Sequence, residues 1–467
     1  MNSPRMTSNV IEATTLRKLR FGLLPFLFVL YVVAFLDRVN IGFAALTMNR
    51  ELAITSQQFG LAAGVFFWGY FIFEVPSNLI LHKIGARVWI ARILITWGVV
   101  ATLTGLVQSA HQLYVARFLL GLAEAGYFPG IVLYLGYWFP QREKAQVIAL
   151  ILTGIPLASV LGGPVSGLIL DHIHWLGFSS WRWLFILEGM PAIVCAFLTK
   201  FMLPSKPSEA RFLALEEKAW IDDQLQQDRQ VLGAKSMSVA RTLANPRVWH
   251  LAFIGFGSGF GTYTFGFWLP QFVRSIFEAQ SNTVVGLVVM IPNLLGLAAM
   301  IIWSRHSDNA LERRHHMAAS VALAGVAMLL LGASHSPLSS LILLCAVAIG
   351  AYSFLPVFMS MPTEFLSDFS AATGIALVVS VANFGGFVGP YTFGLIRQQT
   401  GSAYYGLTCA GIFFLVSASL ALALPKRVQP APEPRSASTE AALRNGTETI
   451  QGDAHDLPST DSNRVSI

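Results

Sequence analysis

The chain is 467 residues long, 54% hydrophobic and only 12% charged, whereas soluble domains carry about 25% charged residues. So few charges cannot cover a water-facing surface, which argues against a soluble enzyme or binding domain and makes lipid the main solvent. The net charge of +6 does not point to nucleic acid, because the basic residues stand in short loops between apolar runs, where they set membrane topology.

Residues 1–20 are polar and basic and form an expected cytoplasmic segment. The apolar run behind them is long enough to remain as a spanning helix, so no cleaved leader is expected. A spanning helix needs about 20 mostly apolar residues. On that criterion helices are predicted at 21–46, 56–81, 88–108, 111–138, 145–170 and 182–203, giving a first six-helix bundle over 21–203. A polar central loop follows at 204–246, with a short surface helix expected from Leu213 to Leu225. The second six-helix bundle, 247–424, has runs at 248–273, 283–303, 315–334, 338–361, 371–397 and 402–424. Residues 425–467 are rich in Pro, Ser, Thr and Ala and hold too few apolar residues to fold, so a disordered cytoplasmic tail is expected. Asn445-Gly446-Thr447 in that tail reads as a chance match to a glycosylation acceptor. The fold class is therefore an all-α membrane protein of twelve transmembrane helices in two six-helix bundles related by pseudo-two-fold symmetry.

Lys and Arg collect on one side, at Arg17, Lys18, Arg20, Lys83, Arg87, Arg142, Lys144, Arg305, Arg313 and Arg314, which makes both termini cytoplasmic. Gly163-Pro164-Val165-Ser166-Gly167 in the fifth helix is echoed by Gly389-Pro390-Tyr391-Thr392-Phe393-Gly394 in the eleventh. Parallel repeats of this kind carry a binding site between the halves, near mid-membrane. Cys195, Cys345 and Cys409 sit in apolar runs and read as small hydrophobes. Asp171-His172-Ile173-His174 is the one cluster that suggests a metal, and its spacing fits no strong ligand pattern. No metal or cofactor is expected.

Charged residues in spanning helices are costly and need a reason. The first helix holds Asp37, Arg38 and Asn40; the neighbours Asp37 and Arg38 point about 100° apart. They form either a structural ion pair or an anion-holding arginine beside a proton-carrying carboxylate. Arg117, Gly121 and Glu124 share one face of the fourth helix, with Glu124 near mid-depth either a proton-coupling candidate or a carboxylate satisfied by Arg38 or a tyrosine that never titrates. Tyr70, Glu74 and Ser77 share a face of the second helix, where Tyr70 is suited to a substrate oxygen and Glu74 to a gate or to binding loop arginines. Glu188, after Trp181-Arg182-Trp183, reads as structural. The alternating Gly255, Gly257, Gly259 and Gly261 of the seventh helix suit close packing or a flexible point. Asn383 is a polar handle in the eleventh helix.

The run from Tyr31 through Asp37-Arg38-Val39-Asn40-Ile41-Gly42 to Met48 resembles the first helix of the major facilitator superfamily, and more narrowly of its anion:cation symporter family. Arg117-Phe118-Leu119-Leu120-Gly121 through Glu124 to Gly130 is similar to that family's fourth helix, and Trp181-Arg182-Trp183 through Glu188-Gly189 to its sixth. Within the family the chain looks closest to bacterial permeases for tartrate, phthalate and 4-hydroxyphenylacetate. The resemblance covers residues 20–425. It implies proton-driven uptake of small organic anions, with Arg38, Tyr70, Arg117 and Asn383 at the substrate and Asp37 and Glu124 carrying protons. It further implies a bacterial inner-membrane carrier working as a monomer, with a small carboxylate and protons as its partners. The family's gating loops match at Lys83, Gly85 and Arg87 and, in the second copy, at Asp308, Glu312 and Arg313. Asn78, His82, Asn309 and Leu311 depart from that pattern, which puts gate strength in doubt. Phe67 stands where the vesicular glutamate branch has a histidine, which argues against that branch. Efflux, or a non-transporting sensor of the same ligands, are the alternatives; no catalytic constellation supports an enzyme.

Overall fold

The computed structural model describes residues 4–233, 243–278, 281–365 and 368–425. The predicted tail beyond 425 and its Asn445 motif lie outside the described residues. The described residues form twelve long helices in two sets of six, a further helix between the sets, and no strand. They are α1 Pro4–Glu51, α2 Ser56–Ile84, α3 Ala86–Thr104, α4 in two segments (Ala110–Glu124 and Tyr127–Gly136), α5 in two segments (Gln141–Leu152 and Gly154–His172) and α6 Ser180–Met202. The second set is α7 Pro246–Phe277, α8 Asn282–Ala310, α9 Arg314–Gly332, α10 Pro337–Phe365, α11 Asp368–Thr400 and α12 Tyr404–Leu422. The polar stretch between the sets carries the helix Leu215–Gly233, longer than the one expected at Leu213–Leu225.

Eleven of the twelve are both long and apolar enough to cross a bilayer. The other is α7, which is 32 residues long. Its glycines and its Ser, Thr, Tyr and Trp side chains lower its hydropathy, and most of its inward residues pack against protein rather than lipid. The helix α1 is also longer than predicted. Its extension is held by ion pairs from Lys18 to Glu217 (2.8 Å) and Arg20 to Glu143 (2.5 Å), and from Arg142 to its own Glu12 (2.5 Å). Burial works against the charge of Glu217, but Lys18 and the Ala214 amide hold its carboxyl below the usual range.

The packing repeats. In the first set α1 packs on α5 and α6, α2 on α4, and α3 on α4 and α6. In the second set α7 packs on α11 and α12, α8 on α10, and α9 on α10 and α12. Adding six to each helix number turns the first list into the second, which is the pseudo-two-fold relation of two six-helix bundles. The main seams between the sets are α2 against α11 and α5 against α8, again one pair under the same operation.

The two glycine-proline repeats of the sequence build these seams. Gly163 lies against the carbonyl of Gly286, and Gly167 against that of Asn282 at 2.5 Å from where a Cβ would stand. On the other seam Gly60 lies against the Pro390 carbonyl and Gly64 against that of Phe387. All four contacts fall at the end of the molecule remote from the terminal segments of α1 and α12, so that end is shut. Side chains at these positions would hold the backbones apart, which is why the seams are written in glycine.

Candidate functional site

Between the bundles lies a cavity of about 160 Å³, walled by residues of both sets. Its polar groups are few and its aromatic side chains many, the composition of a small-molecule site. Arg38 enters from α1. Its Nη2 donates to Oε1 of Glu124, on α4, in a close ion pair. Around the guanidinium stand Phe35, Phe66 and Tyr70, with ring centroids 4.6, 5.1 and 5.8 Å from its carbon. Apolar faces exclude water and strengthen whatever the arginine binds.

Glu124 is the last residue of the first α4 segment. The helix breaks there because Ala125 is extended (ψ 133°) and Gly126 is left-handed (φ 82°). A side chain at Gly126 would have to adopt that disfavoured backbone and would collide with Ser77. The break frees the Ala125 carbonyl, and Ser77 Oγ answers it at 2.7 Å while itself accepting from Trp89 Nε1 at 2.9 Å. Non-helical backbone at membrane depth is tolerable only when its polar groups are satisfied in this way. The discontinuity thus places Glu124 at a helix end facing the cavity.

The remaining predicted residues divide. Tyr70 and Asn383 line the cavity with Arg38 and Glu124. Tyr263 Oη donates to Asn383 Oδ1 at 3.5 Å. Asp37 does not line it. The 100° turn between neighbours sends this carboxylate toward α3, where it accepts from Trp97 Nε1 at 2.6 Å and Asn40 Nδ2 at 3.0 Å. Among the described residues Arg38 is ion-paired to Glu124 and not to Asp37. Arg117 is fully buried behind Phe66, 5.1 Å from that ring, and also off the cavity wall. Its three guanidinium nitrogens have no hydrogen-bond partner among the described residues. Glu188 accepts from Ser166 Oγ of α5 at 2.7 Å.

The gating motifs lie at the end that carries the terminal segments. Gly85 (φ 95°) makes the turn from α2 to α3. Arg87 donates to the Lys200 carbonyl and pairs with Glu209 at 3.8 Å, while Lys83 stays exposed. In the second copy Arg313 pairs with Asp308, and Glu312 accepts from the amides of His315 (2.7 Å) and His316 (3.2 Å) at the start of α9.

Three residues escaped the sequence reading. Tyr352 of α10 lines the cavity, and its Oη donates to Asn293 Oδ1 of α8 at 2.7 Å. Unlike Tyr70 and Asn383, neither of these two residues falls where a shared helix face or the family resemblance marks a site. Asp171, read as part of a weak metal pattern, has another task. Its carboxylate accepts from Ser281 Oγ (2.6 Å), the Asn282 amide (3.0 Å), Asn282 Nδ2 (2.7 Å), and the Thr283 amide and Oγ1 (both 2.7 Å). A residue at the end of α5 thus caps the start of α8 across the seam. Hydrogen bonds to a charged group contribute about 1.5–3 kcal/mol each. Asp171→Ala should therefore raise the population with this end open by at least about tenfold. Spin-label distances between the α5–α6 and α7–α8 loops would lengthen; an unchanged distribution would remove Asp171 as a latch.

The Major Facilitator Superfamily model matches residues 27–309 and 277–454. A protein of Agrobacterium vitis, provisionally named a tartrate transporter, is 44% identical over 433 residues, covering 93% of this chain and 96% of its own. The quinolone resistance transporter of Acinetobacter baumannii is 37% identical, with 86% and 92% covered. Among solved structures, an inward-facing, unoccupied bacterial homolog of the human lysosomal transporter Spinster superposes with a TM-score of 0.70 at 18% identity, over 86% of this chain and 96% of that one. The chain is a membrane transporter and belongs to the Major Facilitator Superfamily.

Proposed function

We propose that this transporter takes up a small organic acid anion across the bacterial inner membrane in symport with protons, by alternating access. The observation that carries the reading is the Arg38–Glu124 ion pair in the cavity between the bundles. Arg38 is the anchor for the substrate carboxylate, since its planar fork matches a carboxylate in two bonds. While Glu124 is ionised it occupies that fork. A proton on Glu124 releases the arginine, so proton and anion bind together. Tyr70 and Asn383 orient the bound acid. Arg117 and Asp37, behind the wall, set the field around Glu124 and act through it rather than on the substrate. The bias of the basic loops supports cytoplasmic termini; on that orientation the shut end faces the periplasm and the cavity is poised to release inward. The tartrate named for the Agrobacterium vitis relative falls in the proposed substrate class.

The test is uptake into proteoliposomes under an inward proton gradient, with labelled tartrate, phthalate and 4-hydroxyphenylacetate. Accumulation of one of them, abolished by a protonophore, is the expected result. The resistance named for the Acinetobacter baumannii relative supports a second reading, efflux. Under that reading protein-dependent accumulation would appear only when the same vesicles carry the opposite gradient and orientation.

A further inference from the structure

Glu74 is a buried carboxylate that the proton cycle above leaves without a task. It stands on α2, four residues beyond Tyr70 and eight beyond Phe66, so about 6 and 12 Å along the helix axis from them. It faces the same cavity as Arg38. Its Oε2 accepts from Ser380 Oγ of α11 at 3.1 Å, and among the described residues no cation pairs with it. A carboxylate withdrawn from water and left without a cation is costly to keep. The charged residues of the cavity wall are Arg38, Glu74 and Glu124. Once a proton neutralises Glu124, the wall is left with a positive charge at Arg38 and a negative one at Glu74. Phe66 and Tyr70 run between them on α2, with Phe354 and Phe358 of α10 also on the wall.

We infer that the best-bound acid, preferred over the simple anions of the uptake panel, is an aromatic monocarboxylate whose far end carries a protonated nitrogen. Its carboxylate sits on Arg38 and its ammonium on Glu74. The inference rests on the reading of Arg38 as the carboxylate anchor. A dicarboxylate such as tartrate would bring its second negative charge toward Glu74 or leave it among rings, both unfavourable. A cation at that end gains an opposite charge and the face of Tyr70 together.

The test is calorimetric titration of the full-length protein in lipid nanodiscs with 4-(aminomethyl)benzoate, 4-methylbenzoate and tartrate. The first two match in shape and differ in the terminal charge. The ammonium compound is expected to bind at least about tenfold more tightly than the methyl one, as a buried charge-assisted contact implies. Glu74→Gln should remove that preference while leaving 4-methylbenzoate affinity within about twofold, since only the charge contact is lost. Retained 4-methylbenzoate binding also shows that the variant is folded, and the ranking in the unmodified protein decides even without it. Tighter binding of tartrate or 4-methylbenzoate, or a preference that survives Glu74→Gln, would overturn the inference and leave organic-acid transport standing. Binding of none of the three acids would overturn both.

Discussion

Arg38→Ala is expected to lower affinity for the transported acid by at least about 100-fold, because it removes two charge-assisted bonds in a water-poor cavity. The same change strands Glu124, which is ion-paired to Arg38 across the cavity. Arg38→Lys keeps the charge but not the planar fork, and Phe35, Phe66 and Tyr70 are arranged around a guanidinium. It should recover part of the loss, leaving affinity about 10-fold below the unmodified protein. Equilibrium titration on protein of verified helicity separates these outcomes. Equal affinity in all three proteins would move the anion site away from α1.

Glu124→Gln is expected to separate binding from energy coupling. Gln keeps the shape of the side chain but neither loses nor gains a proton, so Arg38 is permanently available to the substrate. Counterflow exchange should therefore persist. Accumulation should not, although each coupled proton would otherwise turn one pH unit into about a tenfold concentration ratio. Both are read in the same proteoliposomes, with and without a pH gradient. Gradient-driven accumulation surviving in Glu124→Gln would transfer proton coupling to another carboxylate.

How far the sequence could be read follows from particular residues. Arg38, Glu124, Tyr70 and Asn383 were legible because charge or a polar handle inside an apolar run is conspicuous, and all four meet at one cavity. Asp37 and Arg117 were equally conspicuous but lie behind the wall, since helix rotation, invisible in composition, decides which side a charge faces. Tyr352 and Asn293 carry no charge and fall outside the motifs and the resemblance that mark Tyr70 and Asn383, and only their 2.7 Å bond reveals them. The break after Glu124 was missed as well: Ala125-Gly126 reads as helix until Ser77 is seen to hold its freed carbonyl. The alternating glycines of α7 proved to be packing positions, Gly259 against the Ala382 carbonyl of α11 and Gly257 against the Phe413 carbonyl of α12. The fold was the more legible part, because hydropathy sets where helices span while their rotation is set by contacts distant in sequence.

The glycine seams also determine how the molecule can move. Where Gly163 meets Gly286 and Gly60 meets Pro390, the closest approach is main chain to main chain. Such surfaces behave like plain bearings. They hold by many weak contacts, and parting them forces few side-chain rearrangements. What resists parting is instead concentrated at points, above all at the Asp171 carboxylate and at Arg274, whose Nη1 donates to the Leu46 carbonyl of α1 at 3.1 Å. The friction of the alternating cycle is thereby localised in a few polar fasteners, and its rate can be tuned by changing them without reshaping either bundle.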